Sequence, residues 1–129
     1  TPSQAHLDNA FTLFQRVVQP VRDHFGPTIV TSGYRSPALN AAIGGSPRSQ
    51  HQMGQAVDIE VPGVPTAEVA QWIADNLTFD QLILEFYNPD DVNSGWVHVS
   101  YVLLGGNRNE VLTASRINGV TEYSWGLNY

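Results

Sequence analysis

Two strand-like runs, residues 80–86 and 96–103, are joined by only about nine residues. A connection of that length suits a long hairpin, so the two strands are predicted to pair antiparallel. The loop is filled with turn formers, Asn88-Pro89-Asp90-Asp91 and Asn93-Ser94-Gly95. The tail repeats the arrangement in tighter form: residues 110–117, an Asn118-Gly119 turn, then residues 120–123. Residues 29–32 and 56–61 read as two more short strands. Residues 3–25 carry Leu7, Phe11, Phe14, Val17, Val18, Val21 and Phe25 at helical spacing. Pro20 is predicted to kink or divide this helix, and Gly26-Pro27 to end it. Ser36 is predicted to cap a short helix with Pro37 at its first position and Gly44-Gly45 at its end. Residues 45–55 read as a polar loop. Residues 66–77 form an amphipathic helix with Val69, Trp72, Ile73 and Leu77 on one face. Helices that precede and interleave strands, with short connections, predict an α+β fold. The expected sheet is mainly antiparallel and flanked by two or three helices.

The chain has 129 residues, which suits one domain with one core. With 42% hydrophobic and 14% charged residues it has the composition of a folded protein. It contains no cysteine, which excludes disulfides and thiolate metal sites. The net charge is −6 and all six basic residues are Arg, so no clustered basic face points to nucleic acid. No apolar run approaches the roughly 20 residues of a membrane span. No signal peptide stands at Thr1, and the absence of an initial Met fits a processed or a trimmed form from which a leader could have been lost.

The chemistry concentrates in three residues, His51, Asp58 and His98. Two imidazoles and one carboxylate make a three-ligand set that leaves a fourth position open for water, the pattern of a catalytic zinc. Gly54 and the β-rich run after it place His51 on a loop and Asp58 on a strand. In the next strand Trp96, His98 and Ser100 face one way, and Val97, Val99 and Tyr101 the other. Either histidine alone would suit an ordinary half-buried position. A facial triad for non-haem iron uses the same donors, but commonly with the first His and the acid two residues apart, not seven. His6 and His24 lie on the first helix, away from these motifs, and are read as structural or exposed. Trp72 is read as core.

Ser49-x-His51-x-x-Gly54-x-Ala56-x-Asp58, followed by Trp96-x-His98, resembles the zinc D-Ala-D-Ala peptidase family, the M15 group. The family's fold is shared with the amino-terminal signalling domain of hedgehog proteins. Thr31-Ser32-Gly33-Tyr34-Arg35-Ser36 also matches the family's approach to its site, and the match runs from about residue 28 to 101. The chain looks most like small single-domain members, including phage endolysins and their bacterial relatives, which cut peptide bonds in peptidoglycan stem peptides. The resemblance implies a single zinc peptidase domain over residues 1–129, with one Zn2+ held by His51, Asp58 and His98. It implies that Arg35 meets a substrate carboxylate or carbonyl, for which its planar fork is suited. Ser49 matches a family position near the metal, where it would contact substrate or simply cap the loop, and Trp96 would be core or line the substrate cleft. The implied substrates are stem peptides or cross-links, cut by carboxypeptidase or endopeptidase action. The implied protein is a monomer acting on the cell wall, periplasmic or extracellular, or phage-encoded.

One departure from the family matters. Many members carry the general-base glutamate three residues before the last histidine, in a Glu-x-Trp-His type motif. Here that position is Gly95, and Trp96 stands two residues before His98. Glu85, at the end of an otherwise apolar strand, is the best replacement, because a carboxylate there could take a proton from the attacking water. Asp90 and Asp91 read as turn formers beside Pro89. The missing motif glutamate leaves an alternative: a catalytically inactive, zinc-containing module that binds peptide or cell wall.

Overall fold

The computed structural model describes residues 3–32, 50–103 and 106–129. The first helical unit runs without a break through α1 (Gln4–Leu13), a π-helical stretch (Phe14–Val18) and α2 (Gln19–Phe25). Ser3 caps it by accepting from the His6 amide, and Gly26 closes it with φ 98°. The expected division at Pro20 takes a milder form. Pro20 offers no N–H, and the preceding turns widen to the π pattern, with the Gln19 amide donating to the Phe14 carbonyl. The helix therefore continues past the proline. Its predicted apolar stripe is also split. Val17 and Val21 are fully buried and Val18 nearly so, whereas Leu7, Phe11 and Phe14 are exposed. Leu13, one position off the stripe, is buried in their stead.

Among the described residues the strands are β1 (Ile29–Ser32), β2 (Ala56–Glu60), β3 (Gln81–Glu85), β4 (Trp96–Ser100), β5 (Glu110–Ile117) and β6 (Val120–Trp125). They form a six-stranded sheet in the order β1-β2-β4-β3-β5-β6. Every pairing is antiparallel except β3 with β5. The fold is thus α+β with a mainly antiparallel sheet. β4 occupies one side of β3, so β5 pairs on its other side and runs parallel to it. A short 3₁₀ helix (Gln50–Met53) replaces the centre of the predicted loop before β2. The predicted strand over 96–103 stops at Ser100. The predicted helix after Ser36 lies outside the described residues.

Alternation divides the sheet into two faces. Val57, Ile59, Leu82, Leu84, Val97 and Val99 are all fully buried on one face. They join Leu13, Val17 and Val21 of the first helical unit and Val69, Ala70 and Ile73 of α3 (Thr66–Asn76) in one core cluster. Trp72 packs at its edge, stacked on His24 with ring centroids 4.6 Å apart. The opposite face of the sheet carries Asp58, His98, Trp96 and Glu85.

Candidate active site

Asp58 on β2 and His98 on β4 are direct cross-strand partners. Directly opposed residues project from the same face of a sheet, so the two side chains meet. His98 Nδ1 and Asp58 Oδ1 lie 3.0 Å apart, with side-chain exposures of 13% and 15%. In the tautomer with a proton on Nδ1, His98 donates to the carboxylate. The same two atoms could instead share a cation: two donors on one tetrahedral zinc sit ~3.3 Å apart, given bonds of about 2.0–2.1 Å. An imidazole and a carboxylate this close, partly shielded from water, fit a zinc ion. His51 lies in the 3₁₀ helix that leads into β2, and its side chain falls outside the described residues. Among the described residues there is accordingly no group of three or more metal-ligating side chains.

Backbone features place this pair. β1 pairs with β2 through Val30↔Ile59 and Ser32↔Asp58, which leaves Thr31 as an extra residue in a bulge. Its hydroxyl donates to the Asp58 carbonyl at 3.2 Å. At the start of β2, Gly54 adopts φ 71°, and a Cβ there would collide with the His6 carbonyl of α1. Glycine is therefore required where the His51 segment crosses the first helix. The Met53 carbonyl accepts from Asn9 Nδ2 at 2.8 Å, which pins the same segment to α1.

The β3–β4 register sets Glu85 opposite Trp96 and Ile83 opposite His98. Glu85, Trp96, His98 and Asp58 therefore share a face, with Glu85 diagonal to His98. Diagonal neighbours in an antiparallel pair are about 7–8 Å apart at Cα, within reach of a long side chain. Gly95 explains the departure from the family motif. Its φ is 69°, and a Cβ there would overlap the Glu85 carbonyl and lie 2.9 Å from the Phe86 carbonyl carbon and the Tyr87 nitrogen. A glutamate has no room at position 95 in this hairpin. Trp96 packs edge-on against Phe86, with centroids 5.4 Å apart. The buried indole Nε1 of Trp96 has no hydrogen-bond acceptor among the described residues. Arg35 and Ser49 lie outside the described residues. Asp90 and Asp91 are exposed in the β3–β4 loop, where Asp90 N donates to Asn88 Oδ1 and Asp91 Oδ1 accepts from Asn93 N.

A second polar cluster stands at the end of the sheet where β2 and β3 begin and β4 ends. Asp80 is only 4% exposed. Its Oδ1 accepts from Arg108 Nε and the Arg108 amide, and its Oδ2 from Arg108 Nη2 and Gln50 Nε2. The Arg108 guanidinium holds the Asp80 carboxyl below its ordinary value of 3.8; burial opposes this, and the Gln50 amide adds to it. The hydrogen bond to Asp80 in turn raises the Arg108 guanidinium above its ordinary value. Arg108 also reaches Glu110 at 3.5 Å, and Gln81 donates to Glu110 at 2.7 Å. Nothing in the sequence announces this cluster, because its members are brought together from positions 50, 80, 81, 108 and 110. The one local hint is an acidic residue at the mouth of an apolar strand.

The sequence pattern of the peptidase family described as Peptidase M15 matches residues 3–100. The match covers well over half of the chain, which therefore belongs to the M15 peptidase family. It includes the Asp58–His98 pair, the His51 segment and Glu85, and it ends before the β5–β6 hairpin. No significant match is found among curated proteins.

Proposed function

We propose that this member of the M15 peptidase family is a zinc-dependent hydrolase of peptide bonds in peptidoglycan stem peptides or their cross-links. The observation that carries the reading is the Asp58–His98 pair opposed on neighbouring strands, with the Glu85 carboxylate on the same face of the next strand. Membership of a peptidase family supports the reaction class. The resemblance of the His51 and Arg35 motifs supports the substrate.

His51, Asp58 and His98 would hold the ion. Its contribution when bound is to polarise the scissile carbonyl and make water nucleophilic near neutral pH. The chain's own residues do the rest. Glu85 Oε accepts the proton of the attacking water and passes it to the leaving amine, a general-base and general-acid role. Trp96, on the same face as His98 and Glu85 and packed edge-on against Phe86, is assigned to the wall of the substrate cleft. Arg35 is assigned the substrate carboxylate or carbonyl.

The test is mass spectrometry of muropeptides after digestion of purified peptidoglycan, with and without a chelator. The expected result is new stem-peptide fragments that vanish with chelator and return with added zinc. Protein that holds one zinc, binds peptidoglycan and yields no fragments would instead be the inactive binding module. The absence of a glutamate at position 95 is the main support of that second reading.

A further inference from the structure

The segment that carries His51 is anchored from outside the motif, and we propose that Asp80, clamped by Arg108, is a positioning residue that holds this segment through Gln50. The inference rests on the zinc reading above, with His51 as a ligand. Gln50 immediately precedes His51, and its Nε2 donates to Asp80 Oδ2 at 3.0 Å across thirty residues of sequence. The bond is specific. A carboxylate only accepts, so the amide must present its NH2 group. Three of the carboxylate's hydrogen bonds come from Arg108, and Gln50 supplies the fourth.

Asp80 is itself fixed. Its amide donates to the Ser100 carbonyl at 2.8 Å, and its carbonyl accepts from the Glu110 amide at 3.0 Å. The anchor is thus attached to the strand that carries His98 and to β5. On the far side of His51 the segment is pinned again, by Asn9 to the Met53 carbonyl and by the close approach of Gly54 to α1. The Gln55 amide closes the turn on the Gln50 carbonyl at 2.9 Å. His51 therefore sits between two fixed points, one on the helix and one on the sheet. A ligand on a short turn needs such support, because groups that orient metal ligands govern affinity as the ligands themselves do.

The experiment is zinc affinity, measured by competition with a chromophoric chelator, for the wild type, Gln50→Ala, Asp80→Asn and the double variant. Gln50→Ala is expected to bind one zinc about 10–100-fold more weakly, the usual effect of losing a group that orients a ligand. The thermal midpoint of its zinc-free form should stay within a few degrees of wild type. Peptidase activity should return at saturating zinc, which a generally damaged fold would not allow. The double variant should lose no more affinity than the worse single variant, because both act through one hydrogen bond. Wild-type affinity in Gln50→Ala overturns the proposal. So does an affinity loss in Gln50→Ala that comes with an equal collapse of its zinc-free fold. Wild-type protein that binds no zinc overturns the zinc reading itself, and this proposal with it.

Discussion

The chemistry assigned to each side chain follows from its place on one face of the sheet. His98 meets Asp58 because the β2–β4 register opposes them, and Ile83 closes the third position of that row. His98→Ala is expected to lose zinc and activity together, checked by metal analysis of protein purified without added metal. Retention of stoichiometric zinc would show that His98 is not a ligand. Glu85 has a different role and should respond differently. Glu85→Gln preserves shape and leaves the assigned ligands untouched, so zinc content should be unchanged. The chemical step should slow by roughly 10²–10⁴-fold, the usual contribution of a positioned acid–base group. A Glu85→Gln enzyme with wild-type kcat would remove Glu85 from the mechanism. Arg35→Lys should also be impaired, because an ammonium cannot make the bidentate contact of a guanidinium.

At the scale of the elements, the β3–β4 hairpin decides which residue can serve as base. Phe86 and Gly95 face one another at its mouth with φ of 57° and 69°, and the space beside Gly95 is taken by the Glu85 backbone. Gly95→Glu would restore the family's glutamate on paper. It is nevertheless expected to destabilise the protein by at least about 2 kcal/mol, since it combines a left-handed backbone with overlap of main-chain atoms. That corresponds to a thermal midpoint lower by roughly 5–10 °C, readable by circular dichroism. An equally stable and active Gly95→Glu protein would contradict the hairpin geometry. Much of this level is legible in the sequence. A short apolar run locates β3 and period-two alternation β4, the Asn118-Gly119 turn locates the last hairpin, and two-residue spacing puts Trp96 and His98 on one face. Register is not legible, because it depends on which strand lies beside which. The sequence leaves Glu85 free to face either way, and only its pairing with Trp96 puts it on the His98 side. The π-helical turns before Pro20 are equally silent, since a proline in a helix can be met by a break, a kink or a widened turn.

For the whole molecule, the sheet separates two tasks. One face buries the core against the helices, and the other carries the Asp58–His98 pair. The Asp80 cluster ties one end of the sheet together, joining the start of β3, the residue after which β4 ends, the chain entering β5 and the turn before β2. It should therefore leave a mark on the stability of the entire fold. The Asp80 carboxyl is held below its ordinary value of 3.8, first by its hydrogen bonds to Arg108. The unfolded chain thus binds this proton more tightly than the folded one. The stabilisation is fully present above about pH 5, and it fades as pH falls through 3.8 and on through the lower folded value. Asp80→Asn cannot titrate there, so its stability should fall less steeply with acid than that of the wild type. At pH 7 the variant should be less stable by about 1–3 kcal/mol. This is less than the loss on breaking a fully buried ion pair, because Arg108, at 54% side-chain exposure, can be rehydrated when its partner is neutral. Urea unfolding of the zinc-free proteins at intervals from pH 3 to 7 measures both quantities. Parallel wild-type and Asp80→Asn curves over the acid limb would mean that the Asp80–Arg108 pair does not govern acid stability.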